Sequence, residues 1–150
     1  MTSRIVLLST DEAQARFERL PAALRLVSLS PAFAAADARR DARLRCVHAA
    51  WEEGGVEWLH SVHLVPLGDE AGAWGATSPY GYGGPVTPAT DAGVLARAWA
   101  DWQAWCRAEG VLAEFCRFHP QAEGHQAFLG AVRENRQTVS VDLTVPDIEA

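Results

Sequence analysis

There is no lysine anywhere in the 150 residues; all 13 basic side chains are arginine. Together with the abundance of alanine, this is the coding bias expected of a GC-rich bacterial genome. Basic charge is scarce as well, and the net charge is -6. Proteins that grip nucleic acid through its phosphates normally present a basic face. The nearest approach to one is Arg39, Arg40, Arg43 and Arg45, interrupted by Asp37 and Asp41. A solvated helix end and strand start accounts for that cluster, so direct nucleic-acid binding is not expected. No apolar run nears the roughly 20 residues of a membrane span. The apolar stretch of residues 5–8 has no small-residue cleavage site after it and reads as a first strand, not a signal peptide. Cysteine is limited to Cys46, Cys106 and Cys116. An odd number, no CxxC pair and apolar neighbours predict reduced thiols packed in a cytoplasmic protein.

What is present predicts one α/β (α+β) domain over residues 1–150. Apolar residues make up 49 % and charged residues 21 %, as in ordinary globular proteins. Residues 4–8 read as a strand. Ser9 with Glu12 three positions on forms a capping box, predicting a helix over 10–20 that stops at Pro21. Ser30-Pro31 is a second helix start, leading into 33–39. Residues 42–52 and 56–67 form a hairpin through Glu53-Gly54-Gly55, and 73–77 is a short third strand. The clearest helix is 91–109, where Leu95, Trp99, Trp102 and Cys106 share one stripe and Arg97, Asp101, Ala104 and Arg107 fall away from it. Gly110 stops it. Residues 111–118, apolar on both faces, are expected in a central strand position. Residues 124–133 read as a weaker helix and 137–143 as a last strand.

Four groups carry chemistry worth weighing. In Ser78-Pro79-Tyr80-Gly81-Tyr82-Gly83-Gly84-Pro85, three glycines permit positive φ and close backbone approach, and two prolines fix the ends. Tyr80 and Tyr82 offer ring faces and hydroxyls to a small ligand; a rigid connector is the alternative. Arg117 and His119 share a strand face near its C-terminal end, where ligands of open α/β sheets tend to sit. Arg117 is suited to clamp a carboxylate or phosphate and His119 to shuttle a proton; an internal ion pair and a hydrogen-bonded histidine are the alternative. His60 and His63 lie three apart, but on a strand they face opposite ways and cannot chelate one ion, so no metal site is expected. The tryptophan stripe reads as core.

The ordered set of 78–85, then Trp105-Cys106-Arg107 near a helix end, then Glu114-Phe115-Cys116-Arg117-Phe118-His119-Pro120, and finally residues 135–143, resembles the N-terminal half of Fem-type, GNAT-superfamily acyl- and aminoacyltransferases. That resemblance implies a GNAT-like mixed sheet flanked by helices, in a single half-size domain. It implies transfer of an acyl group to an amine, with this chain supplying the acceptor site. Ser78, Tyr80, Gly81, Tyr82, Gly83, Gly84 and Arg117 would bind the substrate, and His119 and Tyr82 are the candidate catalytic residues. Relatives continue into a second lobe, and the Arg/Gln-x-x-Gly-x-Gly/Ala turn that cradles pyrophosphate is missing here. No cofactor is therefore expected on this chain alone. An acyl-CoA or aminoacyl-tRNA donor would come through a second lobe, and a homo-oligomer or a second GNAT-like subunit is expected as partner. The ligand implied is small and acidic or zwitterionic. A non-catalytic half-domain that binds a metabolite or pairs with another protein is the alternative.

Overall fold

The computed structural model describes residues 4–68 and 72–134. It is a mixed α/β structure with one five-stranded mixed sheet and three α-helices. The strands are β1 (Val6–Leu8), β2 (Arg45–Glu53), β3 (Val56–Pro66), β4 (Trp74–Thr77) and β5 (Val111–Phe115), lying side by side in that order. Every neighbouring pair is antiparallel except β4 and β5, which run parallel. A parallel pair needs a crossover, and the intervening helix α3 (Ala92–Ala108) supplies it.

Local signals account for most element ends. Helix α1 (Thr10–Glu18) opens on the complete capping box, with the Ser9 hydroxyl accepting from the Glu12 amide and the Glu12 carboxylate accepting from the Ser9 amide. Helix α2 (Pro31–Ala38) starts on Ser30, whose hydroxyl accepts from the Phe33 amide. Asp91 caps α3 by accepting from the Val94 amide at 2.8 Å. Between β2 and β3, Gly54 and Gly55 both take positive φ, the two-residue hairpin turn whose twist matches its strands.

The alternation of β2 sorts its side chains between two cores. Val47, Ala49 and Trp51 face α3, against Trp58, Val62 and Leu64 of β3 and Trp99, Trp102 and Trp105 of the helix. Ala50 and Leu59 face the other way, against Phe17 and Leu20 around α1. The predicted α3 stripe is buried at Leu95, Trp99 and Trp102 and half-buried at Cys106.

Four expectations need correction. Strand β5 stops at Phe115 rather than 118. It is also the outer strand of the sheet among the described residues, not a central one, with Leu112 71 % and Phe115 66 % exposed. Asp101 does not fall away from the core: it is buried and accepts a hydrogen bond from the Trp51 indole at 2.8 Å. After β5 only a short 3₁₀ turn, Gly124–Ala127, forms where a helix over 124–133 was expected. The strand expected over 137–143, and the 135–143 part of the resemblance, lie outside the described residues.

Candidate functional site

Beyond Thr77 the chain leaves β3. It returns to that strand only at Val86, which exchanges both backbone hydrogen bonds with Leu59. Residues 78–85 are the excursion between those two points. Its ends are clipped to the end of β5 and the segment after it, twice through Arg117. The Arg117 amide donates to the Ser78 hydroxyl at 2.8 Å, and the Arg117 carbonyl accepts from the Gly83 amide at 2.8 Å. The Ser78 amide also donates to the Phe115 carbonyl. Glycine is required where these segments meet: Gly84 has φ +112°, and a Cβ there would lie 2.9 Å from the Phe118 ring.

The loop tip is held separately. The Tyr80 amide donates to the Asp37 carboxylate of α2 at 2.7 Å, while the Tyr80 residue is 73 % exposed. Gly81, at φ +90°, turns the chain back toward Tyr82. The Tyr82 ring meets the His119 ring edge-on at a centroid distance of 4.9 Å. Tyr82 and Arg117 both line an open groove of about 1360 Å³ that also borders Trp99, Cys106, Phe118 and Phe128. The residues singled out in the sequence therefore divide. Ser78 and Gly83 build the backbone frame, Tyr82 and Arg117 border the groove, His119 braces Tyr82, and Tyr80 stands outside the groove lining.

Two observations bear on the chemistry. Arg117 is exposed, and its guanidinium has no carboxylate partner among the described residues. In the ring of His119, Nδ1 accepts from the Gln121 amide at 3.1 Å, so the neutral ring carries its proton on Nε2 and presents a donor there. A guanidinium and a phenol lining one groove suit a carboxylate or a polarised carbonyl oxygen, with the imidazole packed behind the phenol ring.

The cysteines are held protonated by burial, and the histidines of β2 and β3 bond other partners. Burial pushes the Cys46 thiol up to about 11, assisted by the nearby Asp37 charge. Burial likewise pushes Cys106 and Cys116 up to about 12, with Glu114 adding in each case and a Ser78 hydrogen bond opposing at Cys116. None is a thiolate nucleophile near neutrality. The His48 pKa is lowered by burial and by His63, and its ring contacts Thr10, Cys46 and Ser61. His60 and His63 do face opposite sides: His60 bonds Glu114 under α3, and His63 donates to the Ala34 carbonyl of α2. In the arginine-rich stretch, Arg40 pairs with Asp37 and Arg43 with Asp41, which holds the Asp41 carboxyl down at about 2 through the Arg43 hydrogen bonds. No group of three or more His, Cys, Asp or Glu among the described residues could hold a metal ion. No helix among them is long and apolar enough to cross a membrane.

Asp37 and Glu114 were not assigned to any site from sequence. Asp37 is one of two acids flanking an arginine run, and nothing local marks it as the partner of a loop 43 residues away. No family model, curated protein or solved structure matches the chain.

Proposed function

We propose that this chain is an acyl- or aminoacyl-transferase-like domain of the GNAT/Fem type that supplies the acceptor site. The observation that carries the reading is that Tyr82 and Arg117 line one groove, with His119 against the Tyr82 ring, just past the C-terminal ends of the parallel pair β4 and β5. The ordered resemblance of 78–85 and 114–120 supports the same assignment.

In this reading Arg117 clamps the carboxylate of a small acidic or zwitterionic acceptor, and the Tyr82 ring forms a wall. His119, with its proton on Nε2, hydrogen-bonds the acceptor or the acyl oxygen. The acceptor amine attacks the acyl carbonyl, a C–N bond forms, and the thiol or ribose leaving group departs as the amine loses its proton. The contribution of the groove is alignment. Removal of the amine proton is left to solvent or to a second lobe, because Nδ1 of His119 is already engaged by Gln121. That engagement also favours one specific alternative, a binding half-domain with no chemistry of its own. The donor, acyl-CoA or aminoacyl-tRNA, is held by a second lobe or partner subunit.

The test titrates free amino acids and dipeptides into protein labelled with fluorotyrosine. At least one of them is expected to move the Tyr82 signal, and Arg117→Ala is expected to weaken that binding about tenfold to a hundredfold, the loss of one charge-assisted pair. If no probe perturbs Tyr82, or Arg117→Ala binds as the parent does, the acceptor-site reading is wrong.

A further inference from the structure

We infer that Asp37 is a positioning residue that latches the tip of the 78–85 loop to α2. The inference rests on the reading of that loop as part of the acceptor site.

The loop is clipped at its ends, Ser78 to Phe115 and Arg117 and Gly83 to Arg117. Between them, residues 79–82 include Gly81 at φ +90°, a residue that freely visits other conformations. End clips alone leave such a stretch several arrangements. The attachment between them is the Asp37 carboxylate, which accepts from the Tyr80 amide at 2.7 Å.

Asp37 is itself held by Arg40 and set against a buried ring. Its side chain is only 11 % exposed. Arg40 lies 3.2 Å from Oδ1. His63 of β3 lies behind it, fully buried, with Nδ1 3.7 Å from Oδ2. The orientation of His63 is fixed by Nε2, which must donate to the Ala34 carbonyl at 2.8 Å. That leaves Nδ1 facing the carboxylate from 3.7 Å, too far for a hydrogen bond, and without a hydrogen-bond partner. Asp37 also stands in the last turn of α2, where the helix dipole disfavours an anion. A carboxylate held against that local preference, and aimed at an amide 43 residues away, is placed by its tertiary role.

The consequence reaches the groove. Tyr80 fixes where Gly81 turns, and Gly81 sets where Tyr82 meets His119. Asp37 touches no ligand in this arrangement; it acts through the loop backbone.

Tyr80 and Tyr82 are the only two tyrosines of the chain, so tyrosine labels report on this loop alone. With ¹⁵N-tyrosine, the Tyr80 amide should exchange with solvent at least about tenfold more slowly than an unprotected amide, as expected of a hydrogen bond to a charged group. It should do so although the residue is largely exposed. Asp37→Ala should remove that protection and shift both fluorotyrosine signals, while the tryptophan indole signals stay in place. Asp37→Asn keeps an acceptor and should fall between the two. An unprotected Tyr80 amide in the parent protein overturns the latch, even if Asp37→Ala fails to fold. So does a folded Asp37→Ala with unchanged tyrosine signals. Neither readout involves a ligand, so the latch can fail while the acceptor-site reading stands, and the reverse.

Discussion

Glu114→Ala is expected to lower the free energy of unfolding by about 2–5 kcal/mol at neutral pH, the cost of leaving two buried donors without their carboxylate acceptor. The side chain is 11 % exposed and lies beneath α3. It accepts from His60 Nε2 at 2.6 Å and from the Trp102 indole at 2.8 Å. Both donors sit in a ring cluster, with the His60 and Trp102 centroids 5.2 Å apart and Trp58 5.4 Å from His60. Deleting the carboxylate leaves two donors facing apolar surroundings with nothing to accept them. Glu114→Gln keeps one acceptor oxygen and should cost about 1–3 kcal/mol.

The same site sets an acid limb. Burial alone would raise the Glu114 pKa, but the His60 charge and the hydrogen bonds from His60 and Trp102 outweigh it and hold it below its ordinary 4.5. A carboxyl depressed in the folded state contributes stability above its unfolded pKa and loses it as pH falls through the folded value. Stability of the parent protein should therefore drop as pH falls below about 4.5, and that limb should be shallower in Glu114→Gln. Urea unfolding of the three proteins across that range measures both effects. A Glu114→Ala loss under about 1 kcal/mol would mean that water replaces the carboxylate and that the site is not sealed.

What could be read from the sequence follows from range. The Ser9 capping box, the Ser30 cap, the Gly54-Gly55 turn and the α3 stripe each need only a few neighbouring residues, and each formed at nearly the expected place. Asp101 illustrates the opposite case. On a helical wheel it lies outside the tryptophan stripe, yet Trp51, fifty residues earlier, brings it a buried indole N–H. Strand β5 misleads in a different way. Val111, Leu112, Ala113 and Phe115 look central because apolar residues fall on both faces. Strand position is decided by which strands pair, and among the described residues β5 has a partner only on the β4 side. At the candidate site, the residue types of Arg117 and Tyr82 were legible because they are unusual there. That Arg117 acts through its backbone as well, clipping Ser78 and Gly83, depends on how the fold brings 78–83 beside the end of β5. The Asp37 latch left no local trace at all.

Gly110→Ala is the other substitution expected to be severe, and the reason exceeds helix termination. From sequence Gly110 is a stop for α3. In the fold it is also the point where the returning chain crosses the start of β4. Its φ is +75°, and a Cβ there would lie 2.1 Å from the Gly72 carbonyl oxygen. The positive φ alone accounts for about 1–2 kcal/mol in an alanine. The overlap is with backbone, which has no rotamer to yield, so the entry to β4 must shift. That entry is where the Trp74 amide donates to the Gly110 carbonyl at 3.0 Å, and it precedes the register shift between Trp74 and Gly75. Moving it disturbs the pairing of β4 with β5, and hence the placement of Arg117 beyond the end of β5. Gly81→Ala is the matched control: φ is +90°, but no atom lies within 4 Å of the added carbon. It should cost only the conformational part, about 1–2 kcal/mol, whereas Gly110→Ala should exceed about 3 kcal/mol once backbone strain is added. Denaturant midpoints of the two variants decide the matter. If Gly110→Ala proves as mild as Gly81→Ala, the crossing relaxes freely, and the junction does not hold β5 in register.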